Sequence, residues 1–147
     1  MVTRTFSKAY GLAALRLGYA VSHPDVADLM NRIRQPFNVN AMALAAGLIA
    51  LDDPAHVAQG VAVNRQGLRD LNAGLAELSL AVIPSVGNFV CFDLAQDALP
   101  IYQALLTEGV IVRPIGMYGL PHHLRVSVGT PEENRIFLEA LGRVLPR

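Results

Sequence analysis

The chain has 147 residues, with twelve basic and twelve acidic side chains and hence no net charge. Hydrophobic residues make up 52% and charged residues 16%, the balance of a chain that buries a core and not of a disordered one. Zero charge without a basic run argues against nucleic acid or an anionic membrane as a main partner. A single cysteine, Cys91, excludes an internal disulfide framework and a cysteine metal cage. The longest apolar run, Ala41 to Leu51, falls short of the roughly 18 residues of a membrane span. No charged-then-apolar leader opens the sequence, so the expected location is the cytoplasm.

Along the chain, Thr3 to Phe6 reads as a strand end followed by a loop through Ser7 and Lys8. Leu17, Tyr19 and Val21 alternate with small residues as a second strand. Ser22 or His23 caps a helix with Pro24 in its first turn, which runs to about Arg34 before Pro36. Asn38 to Leu51 carries Met42, Ala45, Leu48 and Ile49 at helical spacing and is expected to be a buried helix. Asp53 caps the next helix, with Pro54 at its first position. Its stripe of Val57, Val61, Leu68, Leu71, Leu75 and Leu78 predicts a long helix suited to bridging two subdomains.

Beyond Ser79 the rhythm becomes that of a compact α/β unit. Leu80 to Ile83 and Asn88 to Asp93 read as strands. Ile101 to Glu108 reads as a helix stopped by Gly109. Val110 to Arg113 reads as a third strand stopped by Pro114, and Leu124 to Val128 as a fourth. Between them lies a loop containing Gly116, Gly119 and Pro121. Thr130-Pro131-Glu132-Glu133 is a capping box for a final helix to about Leu145.

The chemistry-bearing residues begin with an asymmetry. Eleven of the twelve basic residues are arginine and one, Lys8, is lysine. A guanidinium stays protonated, whereas a lysine amine can lose its proton and attack a carbonyl. Around Lys8 stand the hydroxyls of Thr5 and Ser7, Gly11 in a turn, and Arg16. That mixture of hydroxyls, planar cation and open backbone N–H groups suits a phosphate. A lysine beside an anion site can condense with an aldehyde on the same ligand, and pyridoxal phosphate carries both groups. In the fourth strand Leu124, Val126 and Val128 share one face, and Arg125 and Ser127 the other. The residues alone leave two readings of Arg125, a solvent-facing strand residue or one lining a cleft beside the Gly/Pro loop. His122 and His123 read as loop surface, Tyr10 and Tyr19 as packing residues, Asn88 as a turn residue and Cys91 as a small buried hydrophobe.

The run Thr5-Phe6-Ser7-Lys8-Ala9-Tyr10-Gly11-Leu12-Ala13-Ala14-Leu15-Arg16-Leu17-Gly18-Tyr19 resembles the Schiff-base motif of the fold-type I pyridoxal-phosphate aminotransferases, the histidinol-phosphate aminotransferases in particular. Gly109 to Pro114, Gly119 to Pro121 and His123 to Asn134 are similar to that family's later substrate-binding segments, in order and spacing. Ala14 departs from a glycine frequent there. The resemblance runs through the whole chain but corresponds to the C-terminal portion of the family. The family's upstream phosphate loop, ring-stacking aromatic and the aspartate that pairs with the pyridine nitrogen have no counterpart here.

The resemblance implies an α/β fold. The end of a large cofactor-binding domain would lie over 1–36, a helical connector over 37–78 and a small C-terminal α/β domain over 79–147. It implies Lys8 as the Schiff-base lysine and proton shuttle, Thr5, Ser7 and Arg16 on the cofactor phosphate, Arg125 on the anionic end of the substrate, and Arg113 assisting with a phosphorylated one. The implied reaction is transamination between histidinol phosphate and 2-oxoglutarate, with pyridoxal 5'-phosphate as cofactor, in a homodimer that uses small-molecule amino donors and 2-oxoacids. Two alternatives stay open: a threonine-phosphate decarboxylase-like or aromatic aminotransferase relative, and a non-catalytic truncated fragment.

Overall fold

The computed structural model describes residues 1–146. Its contacts gather into two units that meet inside one long helix, between Val61 and Ala62. The first unit opens with strand β1 (Val2–Thr5), antiparallel to β2 (Gly18–Val21), with Thr5 opposite Gly18. Gly18 is required there: a Cβ on it would lie 2.8 Å from the Arg4 carbonyl oxygen. Helix α1 (Pro24–Ile33) starts as its sequence predicts, with His23 Nδ1 accepting from the Asp25 N–H and proline in the first turn.

Helix α2 (Ala41–Leu51) is capped by the Asn40 side chain, which accepts from the Ala43 N–H at 2.8 Å. The expectation of a buried helix is corrected here. Only Ala43 and Gly47 are buried, while Met42, Leu48 and Ile49 are 77%, 68% and 71% exposed. The helix is apolar all round, so the spacing of its large residues does not mark the covered side, where Gly47 lies against Leu17 and Phe6. Helix α3 (Pro54–Glu77) begins where Asp53 accepts from the His56 N–H, and it continues from the first unit into the second. No single helix among the described residues is long and apolar enough to cross a membrane.

The second unit is a four-stranded antiparallel sheet in the order β3 (Ala81–Ile83), β4 (Phe89–Asp93), β6 (His123–Ser127), β5 (Arg113–Pro114). Val90, Phe92, Leu124 and Val126 on one face of the sheet meet Leu71 and Leu75 of α3, Ile101 and Leu105 of α4 (Ala98–Thr107), and Phe137 and Leu141 of α5 (Pro131–Val144). The alternation read for Leu124 to Val128 holds: Leu124 and Val126 are buried, and Arg125 and Ser127 lie on the opposite face.

Two boundaries differ from expectation. Helix α4 starts three residues before Ile101, because Asp97 accepts from the Leu99 N–H and Pro100 fits the first turn, which needs no N–H donor. The third strand is Arg113–Pro114 and not Val110–Arg113. Proline is tolerated because β5 lies at the sheet edge; Val110 and Ile111 line a hollow of about 570 Å³ together with Val126 and Val128, and Val112 is buried in the core.

The capping box forms as read. Thr130 Oγ1 accepts from the Glu133 N–H and Glu133 Oε2 accepts from the Thr130 N–H at 2.7 Å. The Thr130 backbone N–H and then its hydroxyl hold the Glu133 carboxyl below its ordinary value. With the folded value depressed, this contribution is present at neutral pH and is lost on acidification through the carboxylate range. Thr130→Ala is expected to lower the stability of the second unit by about 1 kcal/mol in urea titrations. A change within error would show that the cap is idle.

Candidate active site

The first cluster is built by a tight loop between β1 and β2. The Thr5 hydroxyl oxygen accepts from the Ser7 N–H at 3.1 Å, which bends the chain as it leaves the strand. Phe6 is buried and pins the loop from inside: its N–H donates to the Leu17 carbonyl at 3.0 Å and its carbonyl accepts from the Leu12 N–H at 2.9 Å. Gly11 closes the turn at φ +70°, donating to the Lys8 carbonyl at 2.9 Å. The rings of Tyr10 and Tyr19 lie 4.7 and 6.2 Å from Phe6, the packing roles expected of them.

Arg16 occupies a left-handed backbone conformation at φ 54°, uncommon for a residue with a side chain. Its guanidinium turns back into the loop, donating to the Ala13 carbonyl at 2.7 Å and to Ser7 Oγ at a long 3.4 Å. Thr5, Ser7 and Arg16, separated by up to eleven positions, are thereby brought together. Lys8 follows Ser7 directly and is exposed, and among the described residues its ammonium forms no ion pair. A cation without a carboxylate, two hydroxyls and an adjacent amine form a donor set that fits a phosphorylated aldehyde.

The second cluster lies on the sheet face opposite the core. Antiparallel pairing places Arg113 of β5 directly across from Arg125 of β6, and Arg125 directly across from Cys91 of β4. Two like charges facing each other across a ladder are destabilising by themselves. A carboxylate could relieve them, as Asp28 pairs with Arg32, Glu132 and Glu139 with Arg135, and Glu108 with Arg143, although Arg4, Arg16, Arg34, Arg65 and Arg69 have no such partner among the described residues. Among the described residues, neither Arg113 nor Arg125 has one. Instead the Arg125 guanidinium carbon lies 4.8 Å from the centre of the Phe89 ring. Arg113 donates to the Tyr118 hydroxyl at 3.2 Å, with its guanidinium carbon 5.9 Å from that ring. Burial pushes the Cys91 thiol up, and the facing Arg125 pulls it in the opposite direction.

His123 is corrected from loop surface to the first residue of β6. It pairs with Asp93, and its Nδ1, 3.9 Å from Asp93 Oδ1, has no hydrogen-bond partner among the described residues. Asp93 spends a carboxylate oxygen on the Ala95 N–H at 2.8 Å. Among the described residues no group of histidine, cysteine and carboxylate side chains is arranged to hold a metal ion. Sequence reading did not single out Phe89 and Tyr118. The available signal was the five-residue spacing from Arg113 to Tyr118; the neighbourhood of Phe89 and Arg125 depends on strand register.

Residues 1–141 match the family model described as aminotransferase class I and II. The chain belongs to that family. Within the class I and II aminotransferases, it is 60% identical over all 147 residues to histidinol-phosphate aminotransferase 2 of Pseudomonas fluorescens Pf0-1, covering 40% of that protein. It is 61% identical over 145 residues to histidinol-phosphate aminotransferase 2 of Pseudomonas aeruginosa PAO1, covering 39% of it. The chain thus spans about two-fifths of the length of these relatives. Among solved structures, histidinol-phosphate aminotransferase from Sinorhizobium meliloti, in complex with pyridoxal-5'-phosphate, superposes with a TM-score of 0.90 at 32% identity. That match covers 97% of this chain and 40% of the other. L-threonine-O-3-phosphate decarboxylase from Porphyromonas gingivalis superposes with a TM-score of 0.83 at 26% identity, covering 99% and 46%. The α/β architecture is that of part of a fold-type I aminotransferase.

Proposed function

We propose that this chain carries part of the active site of a pyridoxal-phosphate-dependent aminotransferase that exchanges the amino group of histidinol phosphate with 2-oxoglutarate. The carrying observation is the cross-strand pair Arg113 and Arg125, two cations held face to face without a carboxylate. Such a pair is stabilised by a dianion, and a phosphate monoester supplies one.

Thr5, Ser7 and Arg16 would hold the cofactor phosphate, and Lys8 would bind the cofactor covalently. Pyridoxal phosphate, when bound, supplies an aldehyde that condenses with amines and a ring that withdraws electrons from the substrate carbon. The Lys8 Nζ would take and return the proton at the substrate carbon. Arg125 offers a planar fork to the substrate anion, and Arg113 adds a second cation to it. The proposal includes the division into 1–36, 37–78 and 79–147, a homodimer using a small-molecule amino donor and a 2-oxoacid, and a cytoplasmic location.

The likeness to a threonine-phosphate decarboxylase favours a second reading, because that substrate also carries a phosphate and the arginine pair would serve both. Titration calorimetry with histidinol phosphate, histidinol and threonine phosphate separates them. We expect histidinol phosphate to bind most tightly, and Arg125→Met to weaken it about 10- to 100-fold while leaving histidinol nearly unchanged. Equal affinity of histidinol and histidinol phosphate in both proteins would remove the phosphate reading. Tighter binding of threonine phosphate would favour the alternative.

A further inference from the structure

The two arginines share an unusual restraint. Each is a long, flexible side chain, and each must be oriented before a ligand arrives if the ligand is not to bear that cost. A carboxylate would orient an arginine but would also neutralise it and occupy its donors. An aromatic face attracts the cation without formal charge and leaves the N–H edges of the guanidinium free.

We propose that Phe89 and Tyr118 are positioning residues that hold Arg125 and Arg113 pre-oriented and uncompensated for a single phosphate dianion; this rests on the reading of the arginine pair given above. Phe89 lies under Arg125 at 4.8 Å, on the same sheet face and two residues along β4 from Cys91, the residue paired with Arg125. Cys91, directly opposite Arg125, has no carboxylate to compete with a ligand. The one carboxylate on β4 and β6, Asp93, accepts from the Ala95 N–H and sits opposite His123, two residues along β4 from Cys91. Tyr118 accepts one hydrogen bond from Arg113 and leaves the remaining N–H groups of that guanidinium available.

The aromatic under Arg125 is itself pinned. The loop before it is fixed by Asn64 Nδ2, which donates to the Gly87 carbonyl at 3.0 Å, and by Ser85 Oγ, which accepts from the Gly87 N–H at 3.1 Å. The adjoining Asn88 carbonyl accepts from the Val128 N–H at 2.9 Å, joining that loop to the end of β6. Position thus passes from α3 through the 85–88 loop to Phe89 and from Phe89 to the guanidinium.

The test is an NMR titration of the full chain with inorganic phosphate, following the Nε–Hε signals of Arg125 and Arg113. In the unsubstituted chain the Arg125 Hε should be shifted upfield by the Phe89 ring and should move on adding phosphate. Phe89→Leu should remove the upfield shift and weaken phosphate about two- to five-fold, Phe89→Tyr should restore both, and Tyr118→Phe should weaken phosphate through Arg113. Thermal melts of each variant, recorded alongside, separate lost affinity from lost fold. Unchanged affinity in both Phe89→Leu and Tyr118→Phe, or a Phe89→Tyr variant as weak as Phe89→Leu, overturns the positioning role. Arg125→Met tests the underlying reading separately: if it binds phosphate like the unsubstituted chain, or if that chain gives no phosphate-dependent shift, the arginine pair is not an anion site and both claims fall.

Discussion

On the function proposed above, Lys8→Arg is expected to lower the single-turnover rate of amino-group transfer from histidinol phosphate by at least about 10²–10⁴-fold in the cofactor-loaded protein. The substitution keeps the positive charge and the length of the side chain, so the loop from Thr5 to Leu17 is left to fold as before. It removes the chemistry, because a guanidinium stays protonated and neither condenses with an aldehyde nor returns a proton. The loop itself is over-determined: Phe6 is bonded on both sides, and Gly11 and Arg16 take the two left-handed positions that close it. The loss should therefore appear in turnover without a matching loss in melting temperature. Retention of activity within tenfold would move the reactive amine away from Lys8.

Phe92→Ala should cost about 3–5 kcal/mol, a large fraction of the roughly 5–15 kcal/mol that holds an ordinary domain. Phe92 is fully buried at the centre of β4, between Val82 on β3 and Leu124 on β6, with the Phe137 ring of α5 at 5.9 Å. Its removal leaves a void that strands on both sides hold open, so the site cannot collapse to fill it. Val86→Ala is the control, because Val86 is fully solvent-exposed and its truncation should stay within about 0.5 kcal/mol. Urea unfolding followed by circular dichroism reads both. A Phe92→Ala midpoint close to that of Val86→Ala would contradict the core assigned here.

What the sequence discloses and what it withholds divide along the range of the interactions. The capping box at Thr130, the proline opening α1 and the Asp53 cap are each written within four residues, and each forms as read. The cluster of Thr5, Ser7 and Arg16 was accessible for the same reason, since one short loop carries all three. Register across strands is not local. Nothing in the linear order states that Arg113 faces Arg125 or that Phe89 underlies it, because β6 is paired to strands on both sides from distant parts of the chain. Helix α2 misleads in another way: a helix apolar on every side has no polar face to mark its exterior, and of its several small residues only Ala43 and Gly47 are buried. For β5, the run Val110 to Arg113 has the composition of a strand, but Val110 and Ile111 line a hollow, Val112 turns into the core, and the ladder starts only at Arg113.

On the proposed function, the amine of Lys8 belongs to a phosphorylated aldehyde anchored by Thr5, Ser7 and Arg16. Treating the folded chain with pyridoxal phosphate, reducing with borohydride and mapping the peptides tests it most directly, because Lys8 and the Met1 α-amino group are the only primary amines available. A pyridoxyl label is expected on Lys8, suppressed by excess inorganic phosphate and weakened by Arg16→Ala. A label confined to Met1, or one on Lys8 that is equal in the urea-unfolded chain and indifferent to Arg16, would contradict it.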